Sequence, residues 1–117
     1  MPNPVVHFEV LGSNGGTLQE FYRSLFGWKV DAANPMNYGL VDTGEKRGIG
    51  GGIGAAAPHA PASLTFYVEV DDLASYLHRA ESLGGTVLVP PTEIPNMVTF
   101  AQFTDPEGNC VGLVKGA

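Results

Sequence analysis

Apolar and polar side chains alternate from Val5 to Leu11, which predicts a strand with Val6, Phe8 and Val10 on one face and His7, Glu9 and Leu11 on the other. After the turn Gly12-Ser13-Asn14-Gly15-Gly16, the period changes. Leu18, Phe21, Tyr22 and Leu25 recur at i, i+3, i+4 and i+7, with Gly27 where a helix C-cap belongs. Short strand-like pieces follow at Trp28-Lys29-Val30 and from Tyr38 to Val41, before a run from Gly48 to Gly54 in which five of seven residues are glycine. The Ala- and Pro-rich stretch Ala55 to Ala62 reads as a linker. The same order then returns. Leu64 to Val70 alternates, Asp71-Asp72 offer helix-capping carboxylates, and Leu73, Tyr76, Leu77 and Ala80 form a second stripe closed by Gly84-Gly85. Thr86 to Val89 is predicted as a strand interrupted by Pro90-Pro91. Val98 to Phe103 and Cys110 to Val114 flank the turn signal Asp105-Pro106-Glu107-Gly108-Asn109.

Each half is therefore strand, helix and three strands. At a shift of 58 positions Phe8 meets Phe66, Val10 meets Val68, Leu25 meets Leu83 and Gly27 meets Gly85, which points to an internal duplication. The 117 residues read as one α+β domain, with module one at 1–54, a linker at 55–62 and module two at 63–117. Composition narrows the partners. Six basic against twelve acidic residues leave a net charge of -6, which disfavours tracking a nucleic-acid backbone. The single Cys110 excludes an internal disulfide and a multi-cysteine zinc site. No apolar run reaches membrane-helix length and Met1-Pro2-Asn3-Pro4 does not resemble a signal peptide, so a soluble, cytoplasmic protein is expected.

Val-Val-His-Phe-Glu-Val at 5–10, Phe21-Tyr22 with Leu25-Phe26-Gly27-Trp28, Val70-Asp71-Asp72-Leu73 leading to Leu83-Gly84-Gly85, and Phe103-Thr104-Asp105-Pro106-Glu107-Gly108-Asn109 together resemble the vicinal oxygen chelate superfamily. That group includes glyoxalase I, bleomycin-resistance and fosfomycin-resistance proteins and extradiol dioxygenases. The resemblance implies two tandem βαβββ modules whose curved mixed sheets enclose a cup, with a homodimer expected. In metal-using members, each module gives one side chain from its first strand, commonly His, and one from its last, commonly Glu. Carried over, these positions are His7, Thr65, Gly51 and Gly112. Only His7 keeps a metal-binding side chain of the usual kind, short of the three or so protein ligands a catalytic site needs. No metal or other cofactor is expected, although Glu9 or Glu69 swinging in beside His7 would be a rescue.

Strand alternation sends His7, Glu9, Thr65, Tyr67 and Glu69 to the concave side, and Phe8, Val10, Phe66 and Val68 toward the helices. With Gly51 and Gly112, these five are the candidate ligand-binding residues. A few polar groups in an otherwise apolar cavity suit a small molecule, and the acidic, aromatic composition favours a cationic or aromatic one. The expected function is small-molecule binding of the bleomycin-resistance type. The alternative is a lyase, isomerase or dioxygenase-like enzyme using His7 with unconventional ligands or as a general base. The Gly48 to Gly54 run fits neither a dinucleotide fingerprint nor a P-loop. It lets a ligand or another sheet approach its backbone, or it provides curvature or packing at a module interface. His59 and His78 read as surface residues, Cys110 as a buried inert thiol, and Asp71, Asp72, Asp105 and Glu107 as capping and turn residues.

Overall fold

A computed structural model describes residues 2–116. The element order is β1 (Val5–Gly12), α1 (Gly15–Phe26), β2 (Lys29–Asp31), β3 (Gly39–Asp42), β4 (Gly50–Ala55), β5 (Ser63–Val70), α2 (Leu73–Ser82), β6 (Thr86–Ile94), β7 (Val98–Thr104) and β8 (Cys110–Lys115). This is the α+β arrangement expected, with βαβββ occurring twice. Two compact units carry it: residues 7–65 form one, while residues 66–116 together with 2–6 form the other. The N-terminal residues join the second unit through Pro4, whose carbonyl accepts from the Glu69 N–H at 2.9 Å, and through Asn3, whose Nδ2 donates to Tyr76 Oη at 3.1 Å.

In the first unit the strands lie in the order β2-β3-β4-β1. β1 and β4 run parallel, with His7 opposite Gly50, Phe8 opposite Gly51 and Glu9 opposite Gly52. Such a parallel pair needs a crossover, and the segment between the two strands, which includes α1, provides it. Asn14 caps the helix by accepting from the Thr17 N–H at 2.9 Å, and Gly27 ends it in the left-handed region at φ 71, donating to the Arg23 carbonyl. The buried face of α1 departs from the apolar stripe. Phe21 and Leu25 are 56% and 58% exposed, Leu18 and Tyr22 are half-buried, and the buried residue is Gln19. Its Nε2 donates to the carbonyls of Ile53 at 2.8 Å and Asn37 at 3.0 Å, tying the helix to β4 and to the segment before β3. Tyr22, Phe26 and Phe8 gather around Trp28, with ring centroids 5.7, 4.9 and 5.5 Å away.

The second unit has the order β5-β8-β7-β6, with β5 and β8 parallel and the other pairs antiparallel. Val70, Leu73, Leu77, Ala101 and Leu113 form its core, and Val68, Tyr76, Val87 and Phe103 pack against them. Asp72 caps α2, accepting from the Ser75 N–H at 3.1 Å, and Gly84 turns the chain away at φ 102. β6 differs from the sequence reading by running through Pro90-Pro91. It is an edge strand bonded to β7 alone, where a missing N–H can face solvent, and its register shifts on either side of Val89 absorb the irregularity. Phe66, predicted to pack toward the helices, is 46% exposed, whereas Val68 packs against the core as expected. Among the described residues no helix is long and apolar enough to cross a membrane.

Candidate functional site

His7 and Glu9 stand two positions apart on β1, so the pleat turns both to one face. Between them lies a residue that the sequence did not single out. The Tyr38 hydroxyl donates to Glu9 Oε2 at 2.9 Å and lies 2.9 Å from His7 Nε2, the two ring planes being 20° apart and their centroids 6.3 Å apart. Tyr38 reaches this position because Asn34 grips its backbone twice. Asn34 Oδ1 accepts from the Tyr38 N–H at 2.9 Å, and Nδ2 donates to the Tyr38 carbonyl at 2.7 Å. Gln19 holds the neighbouring Asn37 carbonyl, so the helix also braces this loop. All three members of the group are half-buried, and burial holds the His7 pKa below its ordinary value of 6.5.

The glycine run explains itself against this group. A Cβ at Gly51 would come within 2.6 Å of the Phe8 ring, whereas one at Gly52 would overlap the Tyr38 hydroxyl and ring. The strand is packed by aromatic rings of its own module, Phe8 from one side and Tyr38 from the other. Gly51, a ligand-binding candidate from the sequence, lies opposite Phe8, and the glycine opposite Glu9 on the His7 face is Gly52. Alternation of Cβ directions separates the two, and a run without side chains carries no alternation to read.

On β5, Thr65 and Tyr67 are buried and Glu69 is exposed. Tyr67 lies opposite Gly112, accepts a hydrogen bond from Gln102 Nε2 at 2.7 Å, and meets Phe100 edge-on at 6.5 Å. Gln102, itself opposite Gly112 across β7 and β8, escaped sequence reasoning because β7 has no catalytic motif around it. Glu69 sits against Gly116. The structure thus brings His7 and Glu9 together through Tyr38, and Tyr67 and Gly112 together through direct packing.

Residues set aside as structural are found in such places. His59 and His78 are exposed, and Asp105 accepts from the N–H groups of Glu107 and Asn109 and from Asn109 Nδ2, each at 2.9 Å. The Asn109 bonds hold the Asp105 carboxyl below its usual range. Cys110 is half-buried, not fully buried. For a divalent metal, module one offers His7 Nε2 and the Glu9 carboxylate, both already bonded to one phenol, and Gly50 and Gly52 opposite them supply no third side chain. Among the described residues no three of His, Cys, Asp and Glu converge as a metal site requires, so this set does not fit the metal that the resemblance implies.

Residues 5–113 match the family model described as Glyoxalase/Bleomycin resistance protein/Dioxygenase superfamily. The "Putative glyoxylase CFP32" of Mycobacterium bovis is 29% identical over 100 residues, covering 83% of this chain and 38% of that protein. The anthracycline biosynthesis protein DnrV of Streptomyces peucetius is 25% identical over 139 residues, covering 99% of this chain and 50% of that protein. The chain spans half or less of the length of these curated relatives. Among solved structures, a hypothetical protein, BH1468, from Bacillus halodurans superposes with a TM-score of 0.74 at 10% identity, covering all of this chain and 96% of that one. Methylmalonyl-CoA epimerase from Mycobacterium tuberculosis superposes at 0.69 with 13% identity, covering 97% of this chain and 87% of that one. These two likenesses establish fold alone.

Proposed function

From a chain that belongs to the Glyoxalase/Bleomycin resistance protein/Dioxygenase superfamily, we propose a protein that binds a small organic molecule at the His7–Tyr38–Glu9 face without a divalent metal. The observation that carries this reading is the Tyr38 hydroxyl lying between His7 and Glu9, engaging the two side chains nearest to a ligand set. Three polar tips converge there on half-buried strand and loop residues, the composition of an organic ligand site. A cationic or aromatic ligand suits it best. The Glu9 carboxylate and the Tyr38 ring both attract a positive charge, and the net charge of -6 adds long-range attraction. Thr65, Tyr67, Glu69 and Gly112 remain proposed ligand-binding candidates of the second module, taken by itself.

A second reading follows from the same three side chains. A neutral imidazole oriented by a phenol and a carboxylate is equipped as a general base, which supports an enzyme acting on a substrate with an acidic proton. The names of relatives and neighbours span glyoxylase, biosynthesis protein and epimerase, so the fold leaves this choice to the site. A homodimer is also proposed; Phe21, Leu25 and Phe26, each more than half exposed on α1, support a self-association surface. A cytoplasmic location is proposed with them, in keeping with the single cysteine.

Thermal shifts test the reading. Cationic and aromatic antibiotics, and separately zinc, nickel, manganese and magnesium, are titrated into wild type and His7→Ala. A ligand at a hundred times its Kd stabilises the folded state by about 2.7 kcal/mol. Stabilisation by an organic cation that His7→Ala weakens supports the proposal. Stoichiometric stabilisation by a metal that depends on His7 overturns it, and turnover of an added carbon acid favours the second reading.

A further inference from the structure

A phenol has one proton to give, and Tyr38 spends it on Glu9 Oε2, 2.9 Å away, which as a carboxylate can only accept. The hydroxyl must then act as acceptor in its other contact, 2.9 Å from His7 Nε2, and that nitrogen must carry the hydrogen. We infer that Tyr38, admitted by Gly52, is a positioning residue that fixes His7 as the tautomer protonated on Nε2, with its lone pair on Nδ1. The order of donors runs from His7 through Tyr38 to Glu9.

Two features make this order rigid. Asn34 clamps the Tyr38 backbone at both its N–H and its carbonyl, which fixes the main chain from which the ring projects. The second feature is the absent side chain at Gly52, since any Cβ there would overlap the Tyr38 hydroxyl and ring. The missing Cβ is therefore a requirement of the relay. The burial that lowers the His7 pKa favours the neutral ring, in which the choice of nitrogen has meaning.

Nitrogen-15 NMR of the imidazoles in the intact, ligand-free protein tests the inference at mildly alkaline pH. The exposed His59 and His78 serve as internal references. In wild type, His7 should show a protonated, pyrrole-type Nε2 and an unprotonated, pyridine-type Nδ1. Tyr38→Phe keeps the ring and removes the hydroxyl, so the two His7 nitrogens should move toward one another as the tautomers mix, while the reference signals stay in place. Gly52→Ala should do the same although it retains the phenol; should that variant fail to fold, Tyr38→Phe decides alone. A pyridine-type Nε2 in wild type overturns the donor order. Unchanged His7 shifts in folded Tyr38→Phe overturn the positioning role. Neither measurement uses a ligand, so a failed ligand screen counts against the proposed function and leaves the tautomer result standing.

Discussion

The ring of Tyr67 on β5 occupies the space that a side chain at Gly112 on β8 would need, and the two residues are register partners across the parallel pair. Gln102 Nε2 donates to the Tyr67 hydroxyl from the other side of β8, so the ring is held as well as packed. Gly112→Ala should therefore overpack the site and cost about 1–3 kcal/mol, read as a lower urea midpoint. In a Tyr67→Ala background the same substitution should cost much less, because the atoms it strikes are gone. An equal cost in both backgrounds would show that strain arises from the backbone at 112 and not from the ring.

Gln19 makes a different kind of contribution. It is a buried polar side chain on a helix face that would ordinarily be apolar, and it serves the carbonyls of Ile53 and Asn37. Gln19→Leu keeps most of the volume but leaves those acceptors without their donor, at an expected cost of about 1–3 kcal/mol in equilibrium unfolding. Because Asn37 precedes Tyr38, the variant should also broaden the Tyr38 ring signals. A Gln19→Leu protein as stable as wild type would mean that solvent replaces the lost donor without penalty.

The elements were legible where periodicity is strong. The alternation over Val5 to Leu11 and the stripe from Leu73 to Ala80 each correspond to one element, and Gly27 and Gly84 end the helices through the left-handed backbone that glycine accepts. The pair His7 and Glu9 was legible too, since a strand places residues two apart on one face. What joins them was not. Tyr38 sits 31 positions from His7, and its place depends on an Asn34 clamp and a glycine on another strand, neither of which leaves a local pattern. Exposure on α1 was misjudged for a related reason: Phe21 and Leu25 lie on the apolar stripe, yet the polar Gln19 is the residue that reaches the interior.

The helix caps allow a comparison between two side chains in equivalent positions. Asn14 accepts from the Thr17 N–H at 2.9 Å and Asp72 from the Ser75 N–H at 3.1 Å, each at the N-terminus of its module's helix. Alanine at either position should cost about 1 kcal/mol. Asp72→Asn should keep most of the cap and lose only the charge interaction with the helix dipole, which salt screens. Urea titrations at low and high salt check both statements, and a salt-independent loss in Asp72→Asn would remove the dipole from the account.

The pH dependence of stability should carry the signature of His7. Burial lowers its folded-state pKa from the value of 6.5 taken for the free side chain, so between those two pKa values the unfolded chain binds more protons than the folded one. Stability contributed by the neutral, buried ring is fully present above 6.5. It is lost as pH falls from there through the folded-state pKa, and below that it changes no further. Asp105 and Glu20 also have lowered pKa values, Asp105 through its bonds to Asn109 and Glu20 through Arg23, but their unfolded values of 3.8 and 4.5 put their losses in a more acidic window. Urea midpoints measured from neutral pH down toward the upper edge of that acidic window isolate the histidine. Wild type should lose stability across this range, and His7→Asn should show a flatter profile. A parallel decline in both proteins would assign the dependence to another group and sever the link between His7 burial and acid sensitivity.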